Sequence, residues 1–284
     1  GICHRNMSSE HGMGARMGNQ TSYRLGIVGF GNMGGAILSG ALSGGILSPD
    51  SVQVYDVDAK ARERAQALGA NVMDDDAGVC EQSDIILIAV KPQQLSLALE
   101  QCGSGIAGKA VLSIVAGVGS TRIRERVQGD IRLLRLLPNT PALVGAGAFA
   151  LCSDNDFHDG ELRWASRLFA SLGTVELLPE YQLDAVCGLS GGGPAYAAMF
   201  IEALADGGVR QGLARPVALR LAAQTCFGTA KLILERGMHP ADLKDMVTSP
   251  AGTTIEGCAV LEDKAFRSAV IDAVSAAAER SAQL

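Results

Sequence analysis

Several features that mark particular classes of protein are missing from this chain of 284 residues. Its seven cysteines are scattered, odd in number and free of any Cys-x-x-Cys pair. This pattern predicts buried thiols in the reducing cytoplasm, with no disulfide framework and no zinc site. A net charge of −6 argues against the basic face that a nucleic-acid surface needs. The longest strongly apolar run, residues 85–90, has the length of a strand, so no membrane span is predicted.

The first 22 residues differ in composition from the rest of the chain. They are rich in Gly, Met, Ser and Asn and lack the hydrophobic centre of a signal peptide. A lipidation pattern starting at Gly1 would need Ser or Thr where Arg5 stands. The segment also holds two of the four histidines, His4 and His11, so no metal cluster is predicted. We expect residues 1–22 to be a flexible leader.

Beyond the leader, the sequence changes its pattern once, near residue 184. Up to residue 183, short β-branched runs alternate with amphipathic stretches, which is typical of a mostly parallel sheet covered on both faces. Strands are predicted over residues 24–30, 52–56, 84–90, 110–115, 131–137, 148–152 and 175–178, and helices over residues 33–43, 60–68 and 92–101. We therefore predict a doubly wound α/β domain over residues 23–183.

From residue 184 to residue 284 only helices are predicted. Their expected ranges are residues 194–210, 216–236, 240–247, 253–263 and 265–283. Three of them open with a proline, and Gly237 follows one as a C-terminal cap. This half is rich in Ala and Gly and has few bulky residues for a core of its own, so we expect it to pair with another copy of the chain.

Residues 25–37, LGIVGFGNMGGAI, predict a dinucleotide site. Gly29, Gly31 and Gly34 fit G-x-G-x-x-G between an apolar strand and a helix. In this pattern the first glycine makes the turn, the second admits a pyrophosphate and the third packs helix on strand. The helix start then offers free amides to the phosphates. The predicted cofactor-binding residues here are Gly29, Phe30, Gly31, Asn32, Met33 and Gly34.

Asp56 ends the next strand and bears on the choice of dinucleotide. A carboxylate there can accept a hydrogen bond from the adenosine ribose and repels a 2′-phosphate, which favours NADH over NADPH. Lys60, Arg62 and Arg64 follow soon after. Our interpretation is that these three cations form the solvated face of a helix.

Other strand ends are predicted to line the same crevice. Ala89 and Val90 end one predicted strand and Lys91 and Pro92 follow it, and Ala116, Gly117 and Asn139 come after the next two strands. Lys91 is either a catalytic acid or, because proline forces it extended, a residue that holds backbone against the cofactor. Asn139 is either a turn-former or a polar contact with the cofactor.

Residues 248–257, TSPAGTTIEG, run from a turn into a helix, with no Lys, Arg or His within three residues. Whatever binds there must be held by backbone amides and hydroxyl groups. Together with five other segments, this stretch gives the chain a family resemblance. The segments are, in order, GFGNMG, AVKPQ, LPNTPA, SGGGPAY, EALADGGV and LKDMVTSPAGTT. In this order and spacing they closely resemble pyrroline-5-carboxylate reductase, over residues 23–280.

The resemblance implies a Rossmann domain, an interlocked helical dimerisation domain and reduction of Δ1-pyrroline-5-carboxylate to L-proline by NADH or NADPH. It places a small ring carrying one carboxylate and a C=N bond at the cation-free turn. Helix-start amides there can hold the carboxylate, and Thr254 can hydrogen-bond the ring nitrogen. We therefore expect Thr254 to be catalytic. The expected substrate-binding residues are Ser249, Gly252, Thr253 and Thr254.

The chain departs from the family pattern at three positions. Gly192 stands where the family often has Ser, which would remove a hydroxyl near the nicotinamide. Cys258 replaces a branched aliphatic residue, a change we interpret as packing. Asp56 replaces the small polar residue of members that prefer NADPH.

Two other functions compete with this interpretation. A β-hydroxyacid dehydrogenase shares the two-domain plan but needs a proton donor, usually a Lys on the helix after the glycine-rich turn. The helix after Pro194 has no Lys. A dinucleotide-sensing protein without turnover is the alternative from outside the enzymes.

Overall fold

The computed structural model describes residues 22–283, so residues 1–21 of the predicted leader lie outside the described residues. One sheet of eight strands forms the first half, in the order β3-β2-β1-β4-β5-β6-β7-β8. The strands are β1 Leu25–Val28, β2 Val52–Tyr55, β3 Asn71–Val72, β4 Ile85–Ile88, β5 Ala110–Ser113, β6 Arg132–Leu137, β7 Gly147–Cys152 and β8 Gly173–Leu178. Six run parallel, and β7 lies antiparallel to β6 with β8 parallel to β7.

The predicted strands are confirmed, but two-residue β3 was missed. It is too short for its alternation to be visible. Successive residues of the central strands pack into two separate cores on opposite faces of the sheet. Ile85 and Leu87 lie in one core, and Ile86 and Ile88 lie in the other. This arrangement is the doubly wound sheet that the sequence predicts.

Six helices accompany the sheet: α1 Asn32–Ser43, α2 Ala59–Ala67, α3 Asp76–Glu81, α4 Leu95–Cys102, α5 Ser120–Arg124 and α6 Asp159–Ala170. The sequence analysis found α1, α2 and α4 and missed the other three. A single 3₁₀ turn, Pro92–Gln94, precedes α4, because proline restricts the backbone at that point. Amphipathic α6 could have been found, since it buries Trp164, Leu168 and Phe169 on one face.

The second half is helical throughout. It comprises α7 Leu183–Val186, a π-helical turn over Cys187–Gly191, α8 Gly193–Arg210, α9 Arg215–Arg236, α10 Pro240–Met246, α11 Thr253–Asp263 and α12 Phe266–Ala282. Proline occupies the first turn of α8, α9 and α10 as predicted. Gly237 ends α9 in the left-handed conformation, at φ 62°. The sequence analysis missed α7 and the π turn.

Much of the apolar surface of this helical half is exposed in a single chain. The most exposed large side chains include Met199, Phe227, Leu234, Val260 and Ile271. Among the described residues, α9 is long and apolar enough to cross a membrane by length and composition alone, with mean hydropathy 1.3. Only 11% of its most apolar window is buried in this chain. The sequence analysis overlooked this, because α9 is interrupted by charged residues and has no continuous apolar run.

The described cysteines are free thiols. Cys80, Cys102 and Cys152 are buried, and the three in the helical half are partly buried. They behave as small hydrophobic residues, as the sequence predicts. Within residues 22–283, no group of three or more His, Cys, Asp or Glu side chains could hold a metal ion.

Candidate functional site

The three glycines between β1 and α1 differ in what surrounds them. Gly29 has φ +86°, and a Cβ there would lie 2.7 Å from Val90 Cγ1. A Cβ on Gly31 would meet nothing within 4 Å, and one on Gly34 would lie 3.0 Å from the Gly29 carbonyl oxygen. Gly29 therefore makes the turn, Gly31 faces open space and Gly34 allows close packing of helix on strand. These surroundings fit a bound pyrophosphate.

Asp56 is part of the same turn. Its Oδ2 accepts a hydrogen bond from Phe30 N at 2.5 Å, and its Oδ1 accepts one from Asp58 N at 2.8 Å. The carboxylate thus fixes the glycine turn to the end of β2. Each oxygen keeps a lone pair, so Asp56 can still accept from a ribose hydroxyl.

The prediction that the cations of α2 are solvated holds for Lys60 and Arg64, which are exposed, and is wrong for Arg62, which is half-buried. Arg62 donates to the carbonyl of Asp56 at 2.6 Å and lies over the ring of Tyr55. Arg64 donates to the carbonyl of Phe30 at 3.1 Å. Both arginines reach backbone carbonyls that the folded turn presents. Lys60 is exposed, as predicted.

A cleft of about 290 Å³ lies at the carboxyl edge of the sheet. The predicted cofactor residues that line it are Gly29, Phe30, Gly31, Asp56, Ala89, Val90 and Lys91. Lining residues that the sequence analysis did not identify are Tyr55, Val57, Asp58, Ala61, Arg64, Asp76, Gln94, Leu97, Ala98 and Gln101. Lys91 is extended at ψ 150° before its proline, as predicted, and its side chain is exposed.

The other predicted cofactor residues lie outside that wall. Asn32, Met33 and Gly34 begin α1, whose N-terminal residue Gly31 provides no side-chain cap, so the first amides stay available. Pro92 starts the 3₁₀ turn next to the cleft. Ala116 and Gly117 form the turn after β5, where Gly117 has φ +69°.

Asn139 precedes the 3₁₀ turn Thr140–Val144, but its side chain gives that turn no cap. Its Oδ1 accepts from Ala148 N at 2.8 Å, and its Nδ2 donates to the carbonyl of Ser190 at 3.1 Å. Both ends of the amide are therefore hydrogen-bonded inside the chain. The side chain joins β7 to the π turn of the helical half, and it does not line the cleft.

The cation-free turn leads into α11 as the sequence predicts. Gly252 precedes the helix in an extended conformation and gives no side-chain cap, so the first-turn amides of α11 stay available. A Cβ on Gly252 would lie 2.3 Å from Ser249 Oγ and 3.1 Å from the Ser249 carbonyl oxygen, so a larger residue here would require the Ser249 hydroxyl to move. Ala251 has φ 55°, a left-handed conformation that is unfavourable for alanine.

Thr253 and Thr254 begin α11, and both are exposed in the single chain. One chain therefore does not enclose the hydroxyl that we expect to meet the ring nitrogen. The cleft wall comes entirely from residues 29–101, so it contains no residue of the turn. One chain alone does not enclose the two regions in a shared pocket among its described residues.

Comparisons with known proteins cover both halves of the chain. Residues 180–284 match the family model for pyrroline-5-carboxylate reductase dimerisation, and residues 24–117 match that for "NADP oxidoreductase coenzyme F420-dependent". The pyrroline-5-carboxylate reductase of Methanosarcina acetivorans is 43% identical over 92% of this chain and 97% of its own. That of Escherichia coli is 39% identical over 92% and 98%. This chain belongs to the pyrroline-5-carboxylate reductase family.

Solved structures of pyrroline-5-carboxylate reductases have the same fold. The one from Coxiella burnetii matches with a TM-score of 0.86 at 28% identity, over 92% of this chain and 98% of its own. The Plasmodium falciparum pyrroline carboxylate reductase, solved with NADP bound, matches with a TM-score of 0.83 at 31% identity, over 92% and 97%. The family resemblance and the predicted fold class, including the helical dimerisation domain, are confirmed.

The three departures from the family pattern have different surroundings. A Cβ on Gly192 would lie 2.4 Å from the hydroxyl oxygen of Tyr196, so Ser cannot replace this glycine unless the tyrosine moves. Cys258 is half-buried on α11. Asp56 holds the glycine turn, a role that the sequence analysis did not foresee.

Asp76 is a cleft residue with an unusual ionisation. Burial, followed by the negative charges of Asp75 and Asp56, raises its pKa from 3.8 to about 6. The side chain is 4% exposed at the start of α3. Its charged form is therefore disfavoured in the folded protein.

We expect Asp76→Asn to stabilise the protein at neutral pH. A carboxyl with a raised pKa gives stability that is complete below pH 3.8 and is lost as the pH rises through about 6. The loss in the free energy of unfolding between these two pH limits is at most about 3 kcal/mol. Denaturant unfolding from pH 3.5 to pH 8 measures it. Asp74→Asn, an exposed neighbour, is the control and is expected to follow the wild-type profile. Equal stability of Asp76→Asn and wild type at every pH would contradict the prediction.

Proposed function

We propose that this chain reduces Δ1-pyrroline-5-carboxylate to L-proline, with NADH or NADPH as the reductant. The observation that carries the proposal is the uncapped, cation-free start of α11 at Gly252. Backbone amides and the helix dipole can hold one carboxylate there. The second requirement, a dinucleotide cradle, is supported by the surroundings of Gly29, Gly31 and Gly34.

The residues of the turn have distinct proposed roles. The amides of Thr253 and Thr254 would hold the substrate carboxylate. The Gly252 amide donates to the carbonyl of Ser249 at 3.0 Å, so Gly252 and Ser249 would shape the turn beside the substrate. The Thr254 hydroxyl would hydrogen-bond the ring nitrogen. An imine is readily protonated, and the resulting iminium carbon accepts hydride without a strong acid from the protein. The turn would therefore act chiefly by orienting the ring.

Cradle and cleft would hold the dinucleotide, whose reduced nicotinamide supplies the hydride. Gly31 and the first amides of α1 would face the pyrophosphate, and Asp56 would face the adenosine ribose. The backbone beside Lys91 would line the nicotinamide half, together with Ala116 and Gly117. Asn139 is no longer assigned to the cofactor, because both ends of its amide have partners within the chain.

Oxidation of NADH with Δ1-pyrroline-5-carboxylate tests this function directly. We expect turnover with that substrate and none with 3-hydroxy acids plus NAD, because α8 carries no Lys to serve as proton donor. Absorbance at the reduced nicotinamide band follows both reactions. Turnover of the hydroxy acids would favour a β-hydroxyacid dehydrogenase, and tight NADH binding without any turnover would favour a dinucleotide sensor.

A homodimer formed by the helical half is the second part of the proposal. It is supported by the match to a dimerisation model over residues 180–284 and by the exposed apolar surface of α8, α9, α11 and α12. A second copy would cover that surface, including α9, and close the open turn at Thr254. The physiological partner is then another copy of this chain.

We expect the active enzyme to be at least a dimer. Removing large apolar side chains from water is the main favourable term in association. Light scattering at micromolar concentration, on the same sample as the activity assay, measures the mass. A stable monomer with full activity would rule out a requirement for the second copy at the turn that contains Thr254.

Thr254→Ala is expected to lower kcat/KM by roughly ten- to a hundredfold, because the ring nitrogen loses its hydrogen-bond partner. Thr254→Ser keeps the hydroxyl and should keep most of the activity. Steady-state kinetics with saturating NADH measures both variants. If both match wild type, Thr254 is an ordinary helix residue and the substrate lies elsewhere.

Asp56 is proposed to make NADH the preferred cofactor. Two unit charges 4 Å apart interact by about 4 kcal/mol at an effective dielectric of 20. Arg62 donates to the backbone carbonyl of Asp56 and Arg64 to that of Phe30, and these two positive charges would reduce the repulsion of a 2′-phosphate by Asp56. A net difference of only about 1.4 kcal/mol still gives tenfold discrimination.

We expect a lower Michaelis constant for NADH than for NADPH in the wild type. Asp56→Ser should narrow or reverse the gap, mainly by improving NADPH. Asp56→Asn removes the negative charge but keeps the size of the side chain, and its amide oxygen can still accept from the amide of Phe30. Kinetics with both cofactors decide the question: an NADPH preference that neither variant changes would remove Asp56 from cofactor choice.

The domain division and the cellular location stay predictions. A boundary between residues 183 and 184 is supported by the end of the last strand at Leu178 and by the bond from Ser281 to Asp184, which ties α12 to α7. The buried thiols are compatible with the reducing cytoplasm.

A further inference from the structure

We propose that Asn139 is a positioning residue, which sets the distance between the carboxyl edge of the sheet and the helical half. The inference rests on the proposed function, since it concerns how the two parts of that site are held in line. It replaces both roles considered for this side chain from the sequence, a turn-former and a polar contact with the cofactor.

The first observation is the bridge itself. Asn139 follows β6, whose carboxyl end lies at the same edge as those of β1, β4 and β5, because these strands are parallel. Its carbonyl oxygen accepts from Ala148 N, and its amide nitrogen donates to the carbonyl of Ser190. One half-buried side chain thus joins the edge of the sheet to the segment that leads into α8.

The second observation is the close packing of the segment to which Asn139 is hydrogen-bonded. Residues Cys187–Gly191 form a π turn, which is rare and must be held by its surroundings. On its other side the turn packs against α12 so closely that a Cβ on Gly188 would lie 2.4 Å from the Val274 carbonyl oxygen. A movement of Ser190 would therefore also displace α12, because the two segments are in close contact with no space between them.

A third observation is a polar cluster at the same junction. Glu180, between β8 and α7, accepts from Ser120 N at 2.8 Å and from Arg135 at 2.5 Å through one oxygen. Its own backbone amide donates to Asp154 at 3.0 Å. This cluster holds the segment before the π turn against the sheet. Asn139 then holds the π turn itself, through Ser190.

Relative position matters for the proposed reaction because the substrate turn and the cofactor cleft belong to different halves. A displacement of about 1 Å between reacting groups can lower a rate by roughly a hundredfold. Loss of the bridge should therefore affect kcat more than dinucleotide binding, since the cleft wall is made by residues 29–101 alone.

The test compares two substitutions of Asn139 with one control. Asn139→Ala removes both hydrogen bonds. Asn139→Asp keeps the acceptor for Ala148 N but places an oxygen against the Ser190 carbonyl. Asn155→Ala is the matched control, because Asn155 is also half-buried and its hydrogen bonds stay within residues 152–157.

Three quantities are measured on the full chain: the NADH dissociation constant by fluorescence, kcat, and hydrogen exchange of residues 187–193. For both Asn139 variants we expect a roughly ten- to a hundredfold lower kcat, an NADH dissociation constant within about twofold of wild type and faster exchange in that segment. Asn155→Ala should match wild type in all three.

Each other outcome overturns the inference in a distinct way. A weaker NADH affinity that parallels the loss of kcat would make Asn139 a cofactor ligand. If Asn139→Asp behaves like wild type, the hydrogen bond to Ser190 has no effect and only the bond to Ala148 matters. If hydrogen exchange of residues 187–193 is unchanged in both variants, Asn139 does not hold that segment in place. A wild-type protein that binds NADH but does not reduce the imine would refute the proposed function, and hydrogen exchange would still test the bridge.

Discussion

Burial of the parallel strands on both faces is the constraint on which the rest of the molecule depends. Strands β1, β4 and β5 are buried along their whole length, and their hydrogen-bonded ladders fix them in register. Parallel strands bring their carboxyl ends to one edge. The glycine turn, the segment from Ala89 to Pro92 and the turn at Ala116 meet there for that reason alone. A core built on both faces makes the edge a rigid platform for a crevice.

Charge is distributed unequally between the two candidate regions. The cleft is lined by the acids Asp56, Asp58 and Asp76 and by the cations Arg64 and Lys91, and one of the acids has a strongly raised pKa. The turn at Gly252 has no cationic side chain within three residues in the sequence, and the first turn of α11 carries the acid Glu256, so the site relies on backbone amides. Fixed dipoles suit a small substrate with a single carboxylate, because they hold it without a flexible cation. In the proposed reaction, orientation and not acid catalysis would be the main contribution of the protein.

The junction between the halves connects a sheet with a buried core on each face to a helical half that exposes apolar surface. Polar bridges at Asn139 and Glu180 hold the first helical segments against the sheet. Beyond them, many large apolar side chains of α8, α9, α11 and α12 are exposed in one chain. The family's dimerisation model matches this same part. Rigid attachment at one end and an open surface at the other are what a shared site between two copies requires.

The sequence by itself determined the alternation of strands and helices, the glycine turn, the open start of α11 and the family. These features depend on local burial patterns, on backbone conformations that only glycine adopts easily and on residue chemistry. The short elements β3, α3 and α5 were not predicted, because so few residues show no clear hydrophobic periodicity. Only the tertiary structure decided the partners of Asp56, Arg64 and Asn139. Asp56 reaches an amide 26 positions away and Asn139 a carbonyl 51 positions away. Such bonds depend on how whole elements pack together, which no local pattern specifies.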